Sequence, residues 1–153
     1  MNQLKAVIMG EGGVGKSTLL SLLQGKQMSE KRSPTIGVNV EKVYVGENQV
    51  AVWDFGGQRR FQFMWDDFIR GTGITVIVTD SSEKNVEETR MIMKQYERKL
   101  GSKVIAIANK QDLPDRLPPD KVAEKLGVPT YGMVAVDNRN FKSLYNILSK
   151  HIE

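Results

Sequence analysis

Residues 10–17, which read G-E-G-G-V-G-K-S, contain the residue types that hold phosphate groups. Glycines allow a loop to curl so that its backbone N–H groups point inward at phosphate oxygens. Lys16 would add a point charge for the outer phosphates, and the Ser17 hydroxyl can bind Mg²⁺. An apolar run precedes the loop and a helical pattern follows it, which favours a phosphate-binding loop over a chance glycine-rich turn. The predicted phosphate contacts are Gly12, Gly13, Val14, Gly15, Lys16, Ser17 and Thr18.

A second segment, residues 54–58 (D-F-G-G-Q), ends a β-rich run and contains groups that suit a terminal phosphate. A carboxylate at the end of a strand beside a phosphate loop is typical of a Mg²⁺ ligand, so Asp54 is predicted to hold the metal. Gly57 can approach a γ-phosphate through its backbone N–H. Gln58 carries both an acceptor and donors, so it can hold a water molecule in line for attack. Taken alone, the run favours a simple Asp-Gly turn, but beside the phosphate loop it favours the metal-binding and water-positioning roles.

A long aperiodic loop over residues 25–37 contains a third candidate, Thr35 in the run P-T-I-G. Its hydroxyl could complete the Mg²⁺ shell and bond the γ-phosphate. Loops that are ordered by a γ-phosphate and released on hydrolysis are the moving parts of GTPase switches. We therefore predict Thr35 as a metal ligand with Ser17 and Asp54, and as a catalytic residue with Gln58 and Lys16. A solvated Pro-Thr turn is the alternative.

Residues 109–112 (N-K-Q-D) follow another strand-like run and could read a base. Guanine presents N1–H and N2–H₂ donors, and the carboxylate of Asp112 can accept from both. Adenine lacks this pair of donors and would leave the carboxylate unpaired, so the site would reject it. The stem of Lys110 can cover the base plane, and Asn109 can tie the base site to the phosphate loop. A further prediction adds Ala135, whose N–H could donate to guanine O6, and its neighbour Val136.

The elements that must position these groups follow from apolar runs that alternate with helical patterns. This alternation is typical of an α/β fold with a mostly parallel sheet, here of six predicted strands, and helices on both faces. With the phosphate loop after its first strand, the chain resembles a P-loop NTPase. A hairpin over residues 38–54 would add one antiparallel edge strand. Ligands bind at the carboxyl ends of such strands, where the motifs would meet. Strands are predicted over 4–9, 38–45, 49–54, 74–78, 103–108 and 131–136, and helices over 16–23, 82–100, 118–126 and 140–152.

Composition excludes several other classes of protein. The 153 residues fit one domain, and we expect a single domain over 1–153. The absence of cysteine excludes disulfides, Cys-bound metals, thiol catalysis and prenyl or palmitoyl anchors. A single histidine, His151, argues against a His-rich metal site. A net charge of +4 without a basic cluster does not indicate nucleic acid. With no long apolar run, and with Asn2 where myristoylation needs glycine, we expect a cytoplasmic protein without a direct lipid anchor.

The order and spacing of the motifs resemble a small GTPase of the Ras superfamily over essentially the whole chain. Residues 34–41, 53–58 and 109–114, together with Trp65 seven residues after Gln58, most resemble the ADP-ribosylation factor (Arf) family. The resemblance implies a switch that binds GTP or GDP with Mg²⁺, hydrolyses GTP slowly, and senses the nucleotide through loops at about 26–38 and 56–68. It also implies protein effectors, exchange and activating proteins, and an apolar effector-binding triad. The triad residues would be Val38, Trp53 and Phe68, for which core packing is the open alternative.

Some features depart from the Arf pattern. The phosphate loop is more like that of Ras or Rab proteins, and the segment 115–131 is short. A strand that begins at Leu4 leaves no room for the amphipathic N-terminal helix of Arf proteins. Arg32, three residues before Thr35, resembles the built-in catalytic arginine of heterotrimeric G-protein alpha subunits, although a solvated charge is the alternative.

Two rival functions stay open at this point. A binding subunit could hold GTP without turning it over, but Gln58 argues against it. A P-loop kinase could use ATP, but Asp112 argues against that.

Overall fold

The computed structural model describes residues 3–11, 13–23, 38–45, 48–55, 71–96, 103–134 and 141–152, with the backbone alone at some positions that include Ser17 and Val38. Within these ranges strands and helices alternate, apart from three strands that follow one another over residues 38–79. The strands are β1 Gln3–Met9, β2 Val38–Val45, β3 Asn48–Phe55, β4 Ile74–Thr79, β5 Val104–Ala108 and β6 Thr130–Gly132. The helices are α1 Lys16–Leu23, α2 Glu83–Tyr96, α3 Pro119–Leu126 and α4 Phe141–Ile152.

The strands of the described ranges form one sheet in the order β2-β3-β1-β4-β5-β6. Only β2 and β3 pair antiparallel, and every other neighbouring pair is parallel. The predicted sheet, mostly parallel with one antiparallel edge strand, is confirmed. Parallel strands point the same way, so the segments that follow β1, β4 and β5 leave the sheet at one edge.

The helices cover both faces of the sheet, and each face has its own apolar core. Leu19 of α1 and Leu144 of α4 pack on one face against Ile8 and Val76. Val86 of α2 and Val122 of α3 pack on the other face. All six residues of β4 are buried because the strand lies in the middle of the sheet under both layers. No helix in the described ranges is long and apolar enough to cross a membrane.

One predicted strand is too long. The run 131–136 was expected to be extended, whereas β6 ends at Gly132. Its partner β5 ends at Ala108, which pairs with Gly132, so the ladder has no further partner beyond that point. One more hydrogen bond follows, from Met133 N–H to the Ala108 carbonyl oxygen (2.9 Å). The Met133 carbonyl oxygen then accepts from the N–H of Gln111, a residue that lies beyond the end of β5 (3.2 Å). Residues 135–136 lie outside the described ranges.

The other predicted boundaries agree with the described elements to within one residue. The exception is the end of the 82–100 helix, which the structure describes only to Tyr96. Helix α3 begins with Pro119 at its first position and ends at Gly127, whose φ of 73° is left-handed and suits glycine. A Cβ at Gly132 would lie 2.5 Å from Pro119 Cγ, so this glycine lets α3 begin close to the end of β6.

Candidate nucleotide-binding site

The glycine-rich loop leaves β1 and curls tightly before α1. Gly13 and Gly15 have φ values of 81° and 105°, where residues with a Cβ are strained. A Cβ on Gly10 would lie 2.5 Å from the Val78 carbonyl oxygen, so the loop begins in close contact with β4. Val14 is buried in the core and anchors the middle of the loop. This shape is the one that turns backbone N–H groups toward a phosphate.

Lys16, the first residue of α1, lies inside the loop with only 6% of its surface exposed. Its Nζ donates to the carbonyl oxygens of Gly10 (2.9 Å) and Glu11 (3.0 Å). Burial lowers the pKa of the ammonium group, and the negative charges of Asp54 and Glu11 act in the opposite direction. The cation is therefore poorly solvated, and an anion bound beside it would interact strongly with it.

Asp54 lies near the end of β3, opposite Ile8 of β1, and is 1% exposed. The pairing of β1 with β3 is what brings this carboxylate next to the phosphate loop. Carboxylate and hydroxyl oxygens are the donors that Mg²⁺ prefers, and Mg²⁺ usually takes only one or two carboxylates together with substrate phosphates. In the parts of the chain that the structure describes, no group of three or more acidic, His or Cys side chains could hold a metal by itself. The donor set at Asp54 therefore fits Mg²⁺ bound with a nucleotide, not a metal enclosed by protein.

The segment 109–112, which the sequence predicts to read a base, contacts the glycine-rich loop directly. Asn109 Nδ2 donates to the Val14 carbonyl oxygen (2.9 Å), and Lys110 Nζ donates to the Gly13 carbonyl oxygen (2.6 Å). A Cβ on Gly15 would overlap Asn109 Nδ2, so the lack of a side chain at Gly15 leaves room for the amide. Asp112 is exposed beyond this joint. Two segments that are distant in sequence thus form one edge of a site.

A buried polar cluster behind this segment contains residues that sequence reasoning missed. Ser81, fully buried, donates from Oγ to the Asn109 carbonyl oxygen (2.7 Å) and accepts from Gln111 Nε2 (2.8 Å). Ser81 could have been identified as a candidate from its position alone, because the run 79–82 (T-D-S-S) lies at the end of β4, at the edge of the sheet where ligands bind.

The structure brings seven predicted site residues to that edge: Gly13, Val14, Gly15, Lys16, Asp54, Asn109 and Lys110. Thr18 lies half-buried in α1, and Ser17 is described by its backbone alone. Several predictions stay as they were, because the residues lie outside the described ranges. These are Gly12, Arg32, Thr35, Gly57, Gln58, Phe68, Ala135 and Val136.

Comparison with known proteins agrees with this geometry. A family model described as the ADP-ribosylation factor family matches residues 1–145. ADP-ribosylation factor-like protein 5 of Caenorhabditis elegans is 33% identical over 130 residues, which cover 82% of this chain and 72% of that protein.

Proposed function

The chain belongs to the ADP-ribosylation factor family of GTP-binding, GTP-hydrolysing switches, and on that basis we propose which of its residues bind the nucleotide and which act in hydrolysis. We propose that residues 1–153 act as a single G domain. Its nucleotide would lie along the carboxyl edge of the sheet, with phosphates at the glycine-rich loop and guanine at residues 109–112. A cytoplasmic location belongs to the same proposal, since GTP is the substrate.

The observation that carries this proposal is the contact between the two motifs. Asn109 and Lys110 donate to carbonyl oxygens of Val14 and Gly13 at 2.9 Å and 2.6 Å. The base segment is therefore held at a set distance from the phosphate loop, as a ligand with a base at one end and phosphates at the other requires. Neither contact would be needed for a loop that binds phosphate alone.

On the phosphate side, Lys16 would exchange its contacts with the Gly10 and Glu11 carbonyls for phosphate oxygens. Burial already disfavours its charge, so a phosphate supplies the compensation that the protein gives incompletely. Asp54, Ser17 and Thr35 would hold Mg²⁺, which neutralises charge on the phosphate oxygens when bound. The loop N–H groups and Lys16 would stabilise charge that develops during hydrolysis.

Water is the proposed nucleophile, and Gln58 would orient it while the Gly57 N–H contacts the γ-phosphate. No covalent intermediate is required, because positioning and electrostatics account for catalysis in this class. The segments 26–38 and 56–68 would then differ between GTP and GDP, and partner proteins would sense that difference.

On the base side, the Asp112 carboxylate would accept from guanine N1–H and N2–H₂, with the stem of Lys110 over the ring. Ala135 and its neighbour Val136 complete the proposal, through a backbone N–H directed at guanine O6. The site would prefer guanine over adenine because adenine would leave the Asp112 carboxylate without a donor, which is costly.

For partners, we propose the outer face of the β2–β3 hairpin. Val40 and Tyr44 of the edge strand are exposed, at 45% and 64%. Val40 lies directly opposite Trp53, whose ring has Lys5 Nζ 4.1 Å from its centroid. Trp53 also packs against the second core, so the two interpretations of this residue, effector contact and core, are compatible. An effector would use this apolar face, with Val38 and Phe68 as the other members of the triad.

The test of base recognition is Asp112→Asn. The amide replaces one carboxylate acceptor with an N–H donor, so the 2-amino group of guanine loses its acceptor. Xanthine has a carbonyl oxygen at C2 in place of that amino group, and this oxygen can accept from the new donor. We expect affinity for GDP to fall at least 100-fold and affinity for xanthosine diphosphate to rise, measured by isothermal titration calorimetry. Asp115→Asn, a neighbouring exposed carboxylate, is the matched control and should leave both affinities unchanged. Unaltered guanine preference in Asp112→Asn would remove Asp112 from the base site.

A further inference from the structure

We infer that Ser81 and Gln111 are positioning residues for guanine recognition, because together they clamp the segment 109–112 in the shape that presents the Asp112 carboxylate. Neither residue would touch the nucleotide. The inference rests on the proposed function, since it takes Asp112 as the acceptor for guanine.

Ser81 uses its hydroxyl in both directions on the same segment. Oγ donates to the Asn109 carbonyl oxygen (2.7 Å) and accepts from Gln111 Nε2 (2.8 Å). One buried hydroxyl therefore holds the residues on either side of Lys110. Lys110 itself has a φ of 61°, which is uncommon for a residue with a side chain and must be maintained by its neighbours.

Gln111 closes the other end of the segment. Its Nε2 also donates to the Leu117 carbonyl oxygen (3.0 Å), and its backbone N–H donates to the Met133 carbonyl oxygen (3.2 Å). The side chain thus joins Ser81 to the approach to α3, while its backbone is tied to the end of β6. Asp112 is the next residue, so its backbone position depends directly on these bonds.

Ser81 is in turn held in a fixed place. Its φ is 69°, and its N–H donates to Thr79 Oγ1 (3.2 Å) while its carbonyl oxygen accepts from Leu117 N–H (2.8 Å). Thr79 Oγ1 donates to Asn85 Oδ1 in the first turn of α2. Every polar group of Ser81 is engaged, and the cluster rests on a strand and a helix, which are more rigid supports than a loop.

The experiment compares GDP with inosine diphosphate, whose base keeps N1–H but lacks the 2-amino group. The ratio of the two affinities measures how well Asp112 is aligned with that amino group. In Ser81→Ala we expect the preference for GDP to shrink at least fivefold and GDP dissociation to quicken about tenfold. Gln111→Met, which keeps the length of the side chain and removes its donor, should act in the same direction.

A merely structural role makes a different prediction. If Ser81 only stabilised the fold, both diphosphates would lose affinity equally and the ratio would not move. Thr89→Val is the matched control, because Thr89 Oγ1 is buried and donates to the Asn85 carbonyl oxygen (2.7 Å) in the same cluster without contacting 109–112. It should lower thermal stability and leave the ratio unchanged.

The double variant Ser81→Ala/Gln111→Met should lose less preference than the two single variants added together, because both single variants remove the bond between Ser81 and Gln111. Additive losses would overturn the clamp, as would an unchanged ratio in Ser81→Ala. Asp112→Asn separates the two levels of the argument. If it switches base preference while Ser81→Ala does not alter the ratio, the clamp alone fails. If Asp112→Asn leaves guanine preference intact, the proposed base site itself fails.

Discussion

Asn109 Nδ2 donates a buried hydrogen bond to the carbonyl oxygen of Val14 over 2.9 Å, although the residues are 95 positions apart in the chain. A buried polar group that loses its partner costs about 1–3 kcal/mol. The glycine-rich loop and the segment 109–112 are therefore coupled through protein atoms, without any nucleotide. Disturbing one end of this bond should weaken recognition at the other.

Gly15→Ala tests that coupling. The new Cβ would overlap Asn109 Nδ2, so the amide must shift, which disturbs its bond to Val14. We expect affinity for GDP to fall at least 100-fold, since the change disturbs both the loop and the base segment. The affinity is measured by fluorescence with a labelled GDP.

The matched control for backbone strain is Gly127→Ala. Gly127 also has a positive φ, 73°, but a Cβ there would have no neighbour within 4 Å. It should cost stability, about 1–2 kcal/mol, without altering affinity. If Gly15→Ala behaves like Gly127→Ala, the coupling through Asn109 has no consequence for binding.

Lys16→Met should raise the thermal stability of the nucleotide-free protein while abolishing GTP binding. Burial is the dominant influence on the pKa of Lys16 and lowers it, so the charged form is disfavoured by folding. That penalty is fully present below the lowered pKa and is relieved as the pH rises through it toward 10.5. The gain in thermal stability of Lys16→Met over the unsubstituted protein should therefore be larger at pH 7 than near pH 10. Differential scanning calorimetry measures it, with the exposed Lys121→Met as a control that should gain nothing.

His151, the chain's one histidine, should make stability depend on pH in a narrow range. Burial, and then the charges of Lys150 and Lys103, lower its pKa below the ordinary value of 6.5. As the pH falls, the unfolded chain gains its proton first, so stability present above pH 6.5 is lost on acidification toward the folded-state pKa. His151→Gln should remove this dependence between pH 7 and pH 5 in urea unfolding.

A second variant tests whether neighbouring positive charge helps to lower the pKa of His151. Lys103→Gln removes one of the neighbouring charges and should reduce the dependence without abolishing it. The imidazole also lies 2.6 Å from the Tyr131 hydroxyl through Nε2, and NMR titration of that ring gives its pKa directly. A folded-state pKa at or above 6.5 would contradict the prediction.

Gln58→Leu should slow GTP hydrolysis at least tenfold, which is about 1.4 kcal/mol of barrier, and leave GTP affinity within about twofold. The change removes water positioning and no ground-state contact. Single-turnover phosphate release measures the rate. Arg32→Ala is the companion variant, and a comparable loss of rate there would assign a built-in arginine to this chain. Loss of GTP binding in Gln58→Leu would make Gln58 structural.

The motifs of the site were predictable because their chemistry is local. A glycine-rich turn between a strand and a helix presents N–H groups wherever it occurs, so residues 10–17 could be identified from residue types alone. The hairpin over 38–54 was likewise visible in adjacent residues. The end of β6 was not, because a strand ends where its partner ends, and Ala108 is far from Gly132 in the sequence.

The sequence by itself determined the alternation of strands and helices, the phosphate loop, and the side chains suited to metal, water and base, because each depends on residues that are near neighbours in the chain. Only the tertiary structure decided which of them meet. The order of the strands set Asp54 beside Lys16 and Asn109 beside Val14. It also brought Ser81 to Asn109 and Gln111 across 28 and 30 positions. Such contacts leave no periodic trace, because a buried serine that bonds a distant carbonyl has the same sequence context as one that bonds water.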